Sequence, residues 1–133
     1  MFTALPAQGY EGEAPDFPLP LATAREVEVW DEVWRTPQAE AWSVQPWRWR
    51  AVALYVRWSV RMEAEDASAS LGQVVIRYAD QIGLTPAGLK ENGWKIAEDE
   101  LASKRREASD DFEDDGGEDV RSRLTVVSRG AGG

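Results

Sequence analysis

Apolar residues recur at helical spacing through most of the chain. Val27, Trp30 and Trp34 stand at i, i+3 and i+7 and predict one apolar face on a helix that opens at Thr23, where "TARE" sets a capping-box threonine three residues before Glu26. Thr36-Pro37 stops this helix, because a residue ahead of proline is driven out of the helical region, and Pro37 then suits the first turn of a short second helix, "PQAEAW". The longest helical signal is "SVQPWRWRAVALYVRWSVRMEAED", opened by Pro46. Trp47, Ala51, Leu54, Trp58 and Met62 share one stripe of it and Val52, Val56 and Val60 the opposite side, so burial is expected on both.

Ser70 and Gln73 in "ASASLGQ" form a second capping-box pair, ahead of a helix carrying Leu71, Val75, Tyr78 and Ile82 on one face. Gly83 suits a left-handed helix end, Thr85 and Pro86 the cap and first position of another short helix, and Asn92-Gly93 its close. Trp94, Ala97 and Leu101 then begin a last helical pattern that runs into "SKRREASDD". Upstream, the first 22 residues, with "PDFPLPLA", read as an extended arm, so order is expected to begin at Thr23. Near the other end "RLTVV" is β-branched and reads as one short strand lacking a partner in its own chain. The pattern predicts a mainly α fold: an arm over residues 1–22, a small domain of about five helices, two of them short, over 23–106, and an acidic, largely flexible tail over 107–133.

Charge adds what the apolar pattern does not show. The formal charge is −9, and residues 107–119, "EASDDFEDDGGED", contribute −8 of it while residues 25–106 are nearly neutral. The acidity therefore belongs to a tail and leaves the body free to bind a polyanion. With no cysteine and no histidine, disulfides, thiolate nucleophiles, Ser-His-Asp triads and the usual zinc-ligand sets are excluded. No apolar run approaches the roughly 20 residues of a membrane span, and "MFTALPAQGYEGEAPDF" has neither the basic nor the apolar region of a signal peptide, so a soluble, cytoplasmic protein is expected.

Several motifs end in ordinary readings. Seven tryptophans suggest stacking on unpaired bases, yet most fall on helical faces beside aliphatic residues, where a small domain needs bulk. Trp47 and Trp49 straddle a helix start, which leaves at least one to face a partner. Asp111, Glu113, Asp115 and Gly116 match half of a calcium loop, but its twelfth position is Ser122 where a bidentate glutamate is required. Glu98, Asp99 and Glu100 are adjacent and point apart on a helix, and "GLTPAG" lacks the lysine of a phosphate loop. Catalysis has no visible carrier, and no cofactor or metal is expected.

Arg50, Arg57 and Arg61 lie within about 40° of one another on the long helix. Two readings stand: pairing with Glu63, Asp66 and other acids, or contact with DNA phosphates through the planar guanidinium fork, in a surface that Arg48, Arg77, Lys90 and Lys95 extend if the helices converge.

The order of these pieces, "VWDEVWRTPQAEAW", then "WRAVALYVRWSVRMEAE", then "VVIRYADQIGLTPAGLKENGW", resembles the small subunit of tailed-bacteriophage terminases over roughly residues 17–100. In that family a W-x-x-x-W-type first helix precedes an "ALYV"-like central helix, and a later helix ends in "GLTP" ahead of a short basic segment. Here "AGLKENGW" is less arginine-rich than that pattern. The resemblance implies a non-enzymatic packaging component that forms a homo-oligomeric ring in the host cytoplasm, engages viral double-stranded DNA and presents it to the large subunit with its ATPase and nuclease. The segment "VRSRLTVVSR" is then expected to dock on the large subunit, Leu124, Val126 and Val127 supplying apolar contact and Arg121 and Arg123 steering. The competing readings are a protein-only phage or bacterial adaptor whose acidic tail imitates nucleic acid, and, more distantly, a transcriptional regulator, for which no polar recognition helix follows a tight turn.

Overall fold

Thr23 opens the first helix through a reciprocal cap. Its hydroxyl accepts from the Glu26 amide at 3.1 Å, and the Glu26 carboxylate accepts from the Thr23 amide at 2.9 Å. The computed structural model describes residues 1–97. Within them run α1 (Ala24–Val33), α2 (Pro37–Ser43), α3 (Trp49–Met62), α4 (Ala69–Ile82) and α5 (Pro86–Asn92), with a single 3-10 turn, Pro46–Arg48, leading into α3. Two short strands, β1 (Thr3–Leu5) and β2 (Trp94–Ile96), complete a mainly α architecture in which α3 packs against α1 and α4, and α4 against α5.

The core is built on indoles. Trp30, Trp34 and Trp42 are fully buried together with Val52, Val56 and Ile82. Trp34 is the hub, its ring 5.6 Å from those of Tyr10, Trp30 and Trp42 and 6.0 Å from Trp49, mostly edge to face. Each such pair adds about 0.5–1.5 kcal/mol beyond area burial. Buried N–H groups need acceptors, and three find them: Trp30 donates to the Pro15 carbonyl at 2.7 Å, Trp42 to Ile82 at 2.9 Å and Trp49 to Trp42 at 2.7 Å.

The corner between α4 and α5 follows its sequence signals. Gly83 sits at φ 86°, and the Leu84 amide donates back to Ala79 at 2.9 Å, which closes α4 in a Schellman arrangement. A Cβ at Gly83 would collide with the Trp94 ring, and one at Gly88 with the Asp80 backbone, so α5 lies against the end of α4 only because both positions are glycine. Thr85 caps α5, accepting from the Gly88 amide at 2.9 Å. Side chains of α2 finish the end of α4: the Ile82 carbonyl takes the Trp42 bond, and the Gly83 carbonyl accepts from Gln38 at 3.0 Å.

Five local expectations are corrected. Trp94 begins β2, not a helix, because Gly93 at φ 72° turns the chain out of α5 and β1 supplies backbone partners; Thr3 donates to the Gly93 carbonyl and Ala97 to that of Leu5, both at 2.7 Å. The strands are parallel, with Thr3 opposite Trp94 and Leu5 opposite Ile96. Order therefore begins before Thr23: the arm is extended, yet Leu5 and Leu19 are buried in the core. Ser68, two residues ahead of Ser70, caps α4 by accepting from the Leu71 amide at 3.2 Å. On α3 only the side bearing Val52, Ala53 and Val56 is fully buried, while Trp47 and Met62 on the opposite stripe are exposed, since α1 and α4 cover one side of the helix. Val27 on α1 is exposed too, and Glu26 takes the inward place beside Trp30.

No helix among the described residues is long and apolar enough to cross a membrane. The acidic run, the "RLTVV" segment and Leu101 lie outside the described residues.

Candidate nucleic-acid interface

The seven basic residues singled out in the sequence separate into two groups. Arg57 is drawn inward. Its Nε donates to Glu26 at 2.7 Å, its Nη2 to the Pro20 carbonyl at 2.6 Å, and its guanidinium lies 5.6 Å from the Phe17 ring centroid. This ion pair holds the Glu26 carboxyl below the usual carboxylate range and raises Arg57 in turn. Glu63, a partner expected for the arginine stripe, is taken by Arg25 of α1 at 2.8 Å. Arg50 and Arg61 remain exposed on α3, Arg61 lying 4.9 Å over Trp58. With its middle member internal, the stripe is not a continuous basic surface.

A second group gathers where α3 begins and α4 meets α5. The Arg48 guanidinium lies 4.4 Å from the Trp47 ring centroid and 4.7 Å from that of Trp94. It donates to the Gln81 carbonyl at 3.1 Å, to Asn92 Oδ1 at 2.7 Å and to Gln45 Oε1. No carboxylate among the described residues pairs with it, and burial lowers its pKa from the ordinary arginine value. Such a charge is held by dipoles and rings alone.

Two clefts adjoin this group and share Gln81. One, of about 470 Å³, is lined by Arg77 and Tyr78 of α4; the other, of about 420 Å³, by Trp47, Arg48 and Asn92. Lys90 and Lys95 flank a third cleft of about 460 Å³, mostly apolar, with Phe2, Leu89, Trp94 and Ile96 on its walls. Arg48 and Arg77 thus line clefts that share Gln81, while Lys90 and Lys95 flank a separate cleft between α5 and β2. Gln81, Asn92 and Trp94 were missed as companions of these cations. In the sequence Asn92 reads only as a helix stop, and nothing local links Arg48 to residues 33 to 46 positions away.

Arg121, Arg123, Leu124, Val126 and Val127 lie outside the described residues. Among the described residues no three Asp or Glu side chains gather as a metal cage. Compared with protein-family models, with curated proteins and with solved structures, the chain matches none.

Proposed function

We propose that this chain is the non-catalytic small subunit of a tailed-phage DNA-packaging terminase, a homo-oligomer that engages viral duplex DNA and delivers it to the large subunit. The observation that supports this reading is the corner at Gly83–Pro86, the most specific element of the resemblance, with Arg48 and Arg77 on the clefts that share Gln81 and Lys90 and Lys95 on the separate cleft between α5 and β2. Cations of this kind bind backbone phosphate without reading bases, and their contribution falls steeply with salt. The exposed Val44 and Ile76 provide apolar surface for contact between copies.

Light scattering joined to a gel shift on viral duplex DNA across a salt series tests the reading. The expected result is one species of several times the monomer mass of 14.8 kDa that retards duplex DNA at low salt. A monomer at tens of micromolar sinks the ring, and an oligomer blind to DNA at every salt concentration leaves the protein-only adaptor. Truncation after Asp119 is expected to leave the oligomer intact and to abolish co-purification with the large subunit. Normal binding by the truncated protein would move the docking surface to the helical body.

A further inference from the structure

The two clefts share Gln81 of α4 as a common wall, and the groove across it has Arg77 and Tyr78 on one side and Arg48, Trp47 and Asn92 on the other. In a chain of formal charge −9, no residue lining either cleft is acidic. The nearest carboxylate in sequence on α4, Asp80, accepts from the Thr85 hydroxyl across the corner. Beside Ser70 and the aliphatic Val74, Ala51 and Ile82, the lining consists of two arginines, side-chain amides and two aromatic rings.

Trp47 is 71% exposed although it stands at the foot of a helix beside a well-packed indole core. The guanidinium of Arg48 covers one face of its ring, which pre-orients the indole and leaves the other face to solvent. A base inside a duplex is already stacked on both faces and has no use for such a ring. An unpaired base does, and its flanking phosphates need cations that lack their own carboxylate partner. We infer that this groove binds single-stranded DNA, one unpaired base stacking on Trp47 while Arg48 and Arg77 hold the neighbouring phosphates. The inference rests on the nucleic-acid part of the terminase reading and adds to it an unpaired strand at a defined place.

Fluorescence anisotropy with a labelled oligo-dT of about 15 nucleotides, a length near the upper site size of single-strand grooves, tests it on the full chain. A blunt duplex of the same length and light scattering are run in parallel. Trp47→Ala and Arg77→Ala are each expected to weaken dT binding about tenfold, and Trp47→Phe to keep most of it, since stacking needs a ring. Arg77→Ala should also flatten the salt dependence of log K by about 0.7 for the lost phosphate. Arg50→Ala, outside the groove, should leave dT affinity within about twofold. Both principal variants change exposed side chains, and thermal melts confirm that they fold. Absence of dT binding at low salt, or dT binding unmoved by both Trp47→Ala and Arg77→Ala, overturns the inference. An oligomer that binds duplex but ignores dT does so while leaving the terminase reading in place. A monomeric, duplex-blind chain that still holds dT through Trp47 supports the groove and rejects that reading.

Discussion

Glu26 serves two elements at once: it closes the capping box with Thr23 and accepts from Arg57 Nε at 2.7 Å, 31 residues away on α3. The two side chains are 5% and 16% exposed, so the pair is buried, and removing one charge strands the other. Glu26→Gln preserves the cap, because glutamine serves at that position, and isolates the ion pair. A loss of about 3 kcal/mol is expected, seen as a drop in Tm on the order of 12 to 24 °C for a unit of this size. The folded pKa of Glu26 lies below its ordinary value of 4.5, so the pair's contribution is fully present above that pH and is lost as pH falls through the folded value. An acid melt should therefore show wild type and Glu26→Gln converging below pH 4.5 and fully apart at neutral pH.

Gly83 and Gly93 have similar left-handed backbones, φ 86° and 72°, but only Gly83 has Trp94 where a Cβ would stand. Alanine at Gly93 should cost about 1 kcal/mol, the conformational penalty alone. At Gly83 the same penalty is joined by displacement of a buried indole, and the loss should exceed that at Gly93 by roughly 1–3 kcal/mol. Equal denaturation midpoints for the two variants would refute the close approach of Trp94 to the corner.

Trp30 and Trp34 are both buried, yet the Trp30 N–H is bonded to Pro15 while the Trp34 Nε1 has no hydrogen-bond partner among the described residues. Phenylalanine at Trp30 leaves a carbonyl unpaired; at Trp34 it removes only ring area and an unsatisfied donor. Trp30→Phe is expected to be the more destabilising by about 1–2 kcal/mol, read from urea midpoints at unchanged m-value.

Deleting residues 107–119 removes eight acids and brings the formal charge from −9 to −1. If the cations around the corner bind DNA, duplex affinity should rise at low salt, and the gain should shrink as ionic strength screens the acids. Titrations of both forms across a salt series measure this, and superimposable curves would remove any competition between the acidic run and DNA.

Stops and starts were legible because they are local. Thr23 with Glu26, Pro37, Gly83, Thr85 with Pro86, and Asn92-Gly93 each act within one helical turn, and each stands where its chemistry requires. Ser68 and Ser70 are both competent caps, and only the incoming turn, with Ala67 donating to Ala64 at 3.1 Å, selects the earlier one. The strand at Trp94–Ile96 was hidden because its partner lies at the far end of the described chain and overrides a helical apolar spacing. The site was legible by residue type only. Angular position on α3 put Arg50, Arg57 and Arg61 together, but it carries no information about Glu26, Pro20 or Phe17, which take Arg57 inward. The grouping of Arg48 with Gln81, Asn92 and Trp94 is likewise tertiary.

The pairing of Thr3–Leu5 with Trp94–Ile96 also imposes an order in time. A ribosome adding about 5 to 20 residues per second exposes the first strand roughly 5 to 18 s before its partner. Closing a loop of that length costs on the order of 4 kcal/mol in chain entropy before the ladder gives anything back. The helices, whose contacts are mostly with sequence neighbours, are therefore the first to assemble during synthesis. The first strand also packs against α2, so on a nascent chain it has that helix to rest on, and only its backbone ladder waits until Trp94–Ile96 emerge.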